Sequence, residues 1–167
     1  QTMARDFKAF NVERAFAYNS SFDEKVFNFN CDWFKCINPF DTIPISDIRG
    51  FVHHFMVDEN FFKWAEEHDA FTESGNYSTT AETITQYIRN NPYFSEDHTA
   101  LSDTLIETEI LFYCLEKGAD INGDYTARRS IPRKVKKVFT IDTKQGKFTI
   151  EGESATYYKA KNTFKIR

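Results

Sequence analysis

The sequence predicts a mixed α/β chain, with an α/β domain followed by a C-terminal β-hairpin or meander. Three features favour this class. A short apolar run at 14–18 leads directly into a helix start, and a long helix with an apolar face is predicted over 99–117. The segment 138–166 alternates apolar and polar side chains in short runs. With 167 residues, 41% of them hydrophobic, the chain can bury one core and carry an appendage.

The first elements follow from local residue types. Residues 2–10 are predicted to end a short helix, and RAFAY at 14–18 reads as a strand. Asn19, Ser20 and Ser21 are residues that cap helices, so a helix is predicted over 22–29. The aromatic stretch 30–40 is predicted to be irregular, and 41–45 to be extended.

The later elements are helical up to residue 117 and are strands beyond it. Ser78 or Thr79 is predicted to cap a helix, with Glu82 as the reciprocal capping-box residue. Gly118 is suited to terminate the long helix. The predicted elements are helices over 47–55, 80–89 and 99–117, and strands over 138–142, 147–151, 155–160 and 163–166, with a turn at 144–146.

Cysteine content and hydropathy indicate in which cellular environment the protein works. Cys31, Cys36 and Cys114 cannot all pair with one another, which favours free thiols and a cytoplasmic location. No run of about 18 apolar residues is present, so no membrane span is predicted. Cys31 and Cys36, with His53 and His54 downstream, leave a zinc site open as an alternative to buried structural thiols.

Charge divides the chain into two parts. Residues 1–127 hold 9 Lys and Arg against 22 Asp and Glu, a balance of −13, whereas residues 128–167 hold 12 against 3, a balance of +9. An acidic body suits cation binding and a basic end suits a polyanion. The residues that form the basic run are Arg128, Arg129, Arg133, Lys134, Lys136 and Lys137.

Three side chains are candidates for catalysis and metal binding. Asp23 follows an apolar strand and a turn, and the carboxyl ends of strands are where open α/β sheets place their ligand sites. His98 precedes the long helix and Asp103 lies in its first turns. Two side chains five residues apart on one helix point about 140° away from each other. His98 therefore has to reach the site from the loop before the helix. An ordinary exposed His and two helix-start acids are the alternative interpretation.

These segments resemble a known family. FAYNSSFD, with Asn19, Phe22 and Asp23, resembles the second motif of the proofreading-type 3′–5′ exonucleases that use four acidic residues and one histidine. This family includes ribonuclease T, oligoribonuclease and polymerase proofreading subunits. EDHTALSD resembles its third motif, His-x-Ala-Leu-x-Asp, matched by His98, Ala100, Leu101 and Asp103. The resemblance spans residues 7–117.

The resemblance implies a ribonuclease H-like fold and the hydrolysis of a 3′-terminal nucleotide. Asp23 and Asp103 would help to hold two Mg²⁺ or Mn²⁺ ions about 4 Å apart, and His98 would act as general base. Asn19 and Phe22 would shape the substrate site, Phe22 mainly by packing. The partners implied are single-stranded DNA or RNA 3′ ends, with a homodimer as the common assembly of such relatives.

The first motif of the family, Asp-x-Glu on a strand, has no match in the chain. We therefore expect residues 1–117 to be an exonuclease-like domain that is incomplete at its N-terminus, followed by a basic linker at 118–137 and a β extension at 138–167. A permuted substitute is conceivable, with Asp142 for the Asp, but Lys144 stands where the Glu should be.

The basic run offers a second functional hypothesis. Its charges can bind phosphates, and Tyr157, Tyr158 and Phe164, which follow it, can stack on unpaired bases. The alternative to the exonuclease is thus a catalytically inactive, nuclease-like module that binds nucleic acid through this segment. An ordinary charged linker is the plainer interpretation of the same residues.

Overall fold

The computed structural model describes residues 2–133, 137–143, 146–152, 155–158 and 163–166. These residues confirm the mixed α/β class: they form six α-helices, a two-stranded parallel sheet and two antiparallel hairpins. The ribonuclease H-like topology stays a prediction. Contacts divide the chain into two compact units, Gln1–Ile131 and Pro132–Arg167.

A β–α–β element organises the first unit. β1 (Ala15–Ala17) pairs in parallel with β2 (Ile45–Asp47), with Ala15 opposite Ile45, and α2 (Ser20–Phe34) leads from one strand towards the other. Two neighbouring parallel strands require such a crossover connection. The strand predicted at 14–18 is therefore confirmed, and its carboxyl end passes directly into a helix.

Helix α2 is longer than the sequence predicts. It continues to Phe34 through residues that were expected to be irregular, and it ends where Lys35 adopts a left-handed backbone with φ 52°. The reason is that no Gly or Pro interrupts the chain before Pro39. The aromatic residues of this stretch occupy helical positions instead of breaking the helix.

Four of the remaining helices begin at capping side chains. Asp47, Asp58, Thr80 and Thr99 accept hydrogen bonds from N–H groups of the first turns. The cap of the fifth helix is thus Thr80 and not Ser78 or Thr79 as predicted. No described helix has the length and apolar character to cross a membrane. The helices are α1 (Thr2–Ala9), α3 (Ile48–Phe55), α4 (Glu59–Glu67), α5 (Ala81–Ile88) and α6 (Ala100–Glu116), with a 3₁₀ turn at Pro39–Asp41.

The core of the first unit lies where α3 and α5 pack against α6. Helix α6 contributes Ile106, Ile110 and Cys114, all buried, while Phe112 on the same helix is exposed. The side chains of Phe51, Val52, Phe61 and Ile84 are also almost completely buried. Burial of such side chains is the main favourable term in folding.

Residues 118–131 pack on this core. The Tyr125 ring lies 4.7 Å from that of Phe51, edge to face, and Ile131 is buried. A Cβ on Gly50 would come within 1.8 Å of the Tyr125 carbonyl oxygen, so the segment crosses α3 at close range. The compact unit therefore extends to 131, beyond the boundary at 117 that the sequence suggests.

The described residues of the second unit form two antiparallel strand pairs. β3 (Lys137–Thr143) pairs with β4 (Gly146–Gly152), and β5 (Ala155–Tyr158) pairs with β6 (Thr163–Ile166), both antiparallel. These strands confirm the predicted β extension. Lys144, at the predicted turn, lies outside the described residues.

The packing of α6 in the core predicts how two substitutions on this helix change stability. Replacing Ile110 by Ala removes a fully buried side chain and should lower the free energy of unfolding by about 2–5 kcal/mol. The matched control is Phe112→Ala, whose ring is 60% exposed and whose effect should stay within about 0.5 kcal/mol. Urea denaturation measures both variants, and equal destabilisation would contradict the described packing of α6.

Candidate active site

Glu96, His98 and Asp103 meet at the start of α6 and are named here the acid cluster. One potential ligand atom from each lies within 4.8 Å of the other two. His98 lies in the loop before the helix with φ 53°, and Asp103 lies in the first turn. The structure therefore brings together two of the predicted residues, in the loop-and-helix arrangement that their spacing requires.

The loop before α6 orients the acid cluster. The Asp97 Oδ1 atom accepts the Thr99 N–H at 3.4 Å, and hydrogen bonds from Ser102 and Thr99 hold the Asp97 pKa below its usual range. Thr99 in turn caps the helix by accepting the Ser102 N–H at 3.3 Å. The residues on either side of Asp97 contribute to the acid cluster: His98 Nδ1 lies 3.7 Å from Glu96 Oε2.

Two oxygens of the acid cluster are buried without compensation. Glu96 Oε1 and Asp103 Oδ1 have no hydrogen-bond partner. Burial raises the pKa of Glu96, and the charges of Glu82 and Asp103 raise it further. A buried carboxylate without a partner is costly, and a divalent cation would supply the missing positive charge. Carboxylate oxygens are the ligands that Mg²⁺ and Mn²⁺ prefer, so the donor atoms fit the predicted ions.

Glu107 and Asp23 extend the negative charge around the acid cluster. Glu107 Oε2 accepts the Tyr18 backbone N–H at 3.2 Å. Burial raises the pKa of Glu107, and the charges of Asp23, Asp103 and Glu96 add to this increase. Asp23, in the first turn of α2, is thus close enough to influence Glu107 although it is not one of the three clustered residues.

The end of β1 positions the residues predicted to shape the substrate site. Asn19 adopts a left-handed backbone, φ 65°, and its N–H donates to Asp47 Oδ1 at 2.9 Å. The Tyr18 hydroxyl donates to the Thr79 carbonyl at 2.7 Å, and burial raises the pKa of Tyr18. Phe22, expected to pack, is instead 64% exposed.

Glu96 and Glu107 are the acidic residues that sequence reasoning missed. Glu107 follows Asp103 by one helical turn, a spacing that places both side chains on the same face. That signal was present in the sequence. Glu96 lies two residues before His98 in an irregular loop, where no periodicity predicts the direction of a side chain.

The residues predicted to bind phosphate are divided between the two units, and two of them lie outside the described residues. Arg128 and Arg129 belong to the first unit and are exposed, and Arg129 lines a cavity. Arg133 lies in the second unit. Lys134 and Lys136 lie outside the described residues, and Lys137 begins β3.

His53 is engaged in structural hydrogen bonds. Its Nδ1 accepts the Arg128 N–H at 2.8 Å, which leaves the proton on Nε2 to be donated to Thr79 Oγ1 at 3.1 Å. Burial, followed by the charges of Arg49 and Arg128, lowers the pKa of His53 to about 4. His53 therefore has no nitrogen free for a metal. Among the described residues, the cysteine–histidine zinc site is not formed.

Comparison with known proteins gives no relative for this chain: no family model, no curated protein and no solved structure matches it.

The neutral state of His53 predicts a pH dependence of stability. The unfolded chain takes up this proton near pH 6.5, whereas the folded chain resists it down to about pH 4. The stabilisation is therefore present above pH 6.5 and disappears as the pH falls towards 4. As the pH is lowered from 7 to 4.5, the melting temperature should decrease more steeply for wild type than for His53→Gln. The exposed His54→Gln should match wild type, and identical slopes for all three proteins would refute the assignment.

The raised pKa of Glu107 predicts a stabilising substitution. In EDTA at pH 7.5, Glu107→Gln removes a negative charge that burial and neighbouring carboxylates disfavour. The amide oxygen of the new side chain can still accept the Tyr18 N–H. We expect a higher melting temperature than wild type. Glu116→Gln, exposed near the end of the same helix, should change stability by no more than about 0.5 kcal/mol. A lower melting temperature for Glu107→Gln would show that the Glu107 charge does not destabilise the folded protein.

Proposed function

We propose that this chain is a metal-dependent 3′–5′ exonuclease that releases nucleotides from 3′ ends of DNA or RNA. The observation that carries the proposal is the acid cluster with its two buried, unpartnered carboxylate oxygens. The sequence supports it separately, because His98 and Asp103 stand in the order and spacing of the third exonuclease motif.

Each residue of the site has a distinct role in the proposed reaction. Asp103, Glu96 and Asp23 are the carboxylates that would hold Mg²⁺ or Mn²⁺. Such ions, when bound, lower the pKa of water and stabilise the leaving oxygen. His98, whose side chain is 77% exposed, can accept a proton from water and release it to solvent. Its position in a loop leaves the imidazole accessible to a strand end.

The chain itself contributes carboxylates beyond the two family motifs. No Asp-x-Glu pair on a strand occurs in the sequence, and Asp142 belongs to β3 in the other unit. Glu96 and Glu107, by contrast, lie beside Asp103 in the first unit and carry raised pKa values. We assign to them the negative charge that the missing pair would otherwise provide.

A nuclease assay tests the proposal. The substrates are matched 5′-labelled DNA and RNA strands incubated with Mn²⁺, and wild type should produce a ladder of one-nucleotide steps. Asp103→Asn and Asp23→Asn should each lower the initial rate at least about 100-fold, because each removes a metal-binding charge. His98→Ala should lower it by a factor of about 10²–10⁴, the usual contribution of a general base.

The controls are substitutions of the same chemical type away from the site. Asp32→Asn, exposed near the end of α2, and His54→Gln should retain the wild-type rate. A strand blocked by a 3′-phosphate distinguishes exonuclease from endonuclease cleavage. If wild type leaves every strand uncut but binds it, the inactive binding module is the correct function and the proposed enzyme is not.

A further inference from the structure

A cavity of about 370 Å³ lies next to the end of β1 and is named here the arginine cavity. It is lined by two guanidinium groups, those of Arg49 on α3 and Arg129 in the segment that follows α6. Tyr18 and Asn19 line it from the strand end, and Thr80 from the start of α5. Its size is that of a small-ligand site with several convergent polar groups.

The charge of the arginine cavity is opposite to that of its surroundings. Among the described residues that line it, none is acidic, although residues 1–127 carry a balance of −13. A neighbouring cavity differs, since it has Asp47 and Asp124 beside Arg14. Two positive side chains without a lining carboxylate indicate an anionic ligand.

Arg49 provides a donor that the protein leaves unused. Its Nε atom is buried and has no hydrogen-bond partner. A buried donor without a partner is unfavourable, and an anion beside the Arg49 guanidinium group would offset part of this cost by charge attraction. Arg129 is exposed at the opening, and its guanidinium group can form the paired hydrogen bonds that phosphate accepts.

Neutral donors complete the lining. Thr72, Ser74 and Asn76 line the cavity with hydroxyl and amide groups that are hydrogen-bonded to one another. Thr80 and Ala81 form the N-terminal end of α5. The N–H groups at a helix start favour a negative ligand. The two arginines and the start of α5 suit a phosphate group, which carries negative charge and accepts hydrogen bonds.

Tyr18 connects the arginine cavity with the acid cluster. Its side chain lines the cavity, and its backbone N–H binds Glu107, whose pKa is influenced by the charges of Asp103 and Glu96. We propose that the arginine cavity binds a non-scissile backbone phosphate of a single-stranded nucleic acid. The identity of this ligand rests on the proposed exonuclease function, whereas the preference for an anion rests on the cavity alone.

Binding without metal tests the proposal separately from catalysis. Fluorescence anisotropy of a 5′-labelled single strand in EDTA reports affinity while cleavage is blocked. The double variant Arg49→Gln/Arg129→Gln should bind at least about 10-fold more weakly than wild type. The slope of log affinity against log salt should also become shallower by about 0.7, because one phosphate is no longer neutralised by the protein. Arg5→Gln/Lys63→Gln removes the same charge from exposed positions on α1 and α4 and should change affinity less than about 2-fold.

Strands in which one phosphate at a time is replaced by a neutral methylphosphonate locate the phosphate that the cavity binds. Wild type should bind more weakly when the replacement lies at one fixed distance from the 3′ end, and the double variant should be insensitive at that position. Arg129→Gln alone, at an exposed residue, gives the same test if Arg49→Gln fails to fold. Wild-type affinity in either folded variant, or no sensitive position, would overturn the proposal. Neither result depends on whether Mn²⁺ supports cleavage.

Discussion

The end of β1 is the constraint on which the site depends. The Tyr18 N–H binds Glu107 on α6, and the Tyr18 hydroxyl binds the Thr79 carbonyl just before α5. The N–H of the next residue, Asn19, binds Asp47, which also caps α3 by accepting the Arg49 N–H at 3.0 Å. Two consecutive residues therefore tie three helices to a strand of three residues. A shift of this strand end would displace the acid cluster and the arginine cavity together.

The acid cluster and the arginine cavity carry groups of opposite charge. An acidic body repels a polyanion, so a nucleic-acid strand can approach it only where positive charge is concentrated. A divalent ion at the acid cluster would provide one such place, and Arg49 with Arg129 provides the other. The buried oxygens of Glu96 and Asp103 and the buried Arg49 Nε are unpartnered groups of opposite sign. Under the proposed function, a metal ion and a phosphate would bring the opposite charge to each.

Much of the fold follows from local sequence signals, and the site follows only in part. The strand at 14–18, the helix over 99–117 and the C-terminal hairpins have patterns that are local, so they are predictable. The extension of α2 and the packing of residues 118–131 depend on tertiary contacts, such as that of Tyr125 with Phe51, which no local pattern encodes. The sequence singles out His98 and Asp103 as a pair, and the structure brings these two side chains together. Glu96 and Arg49 do not stand out in the sequence, because their significance lies in which of their atoms are buried without a partner.

If the loop before α6 and the end of β1 hold one metal-ion site, Mn²⁺ titration followed by amide NMR will detect both segments at once. Paramagnetic broadening should appear first, at substoichiometric Mn²⁺, in two segments far apart in sequence, residues 96–103 and residues 18–23. Asp103→Asn should abolish the early broadening in both. The exposed acids Glu67 and Asp69 serve as an internal control and should broaden only at excess metal. Broadening that appears equally at that control patch, or that survives in Asp103→Asn, would contradict the account.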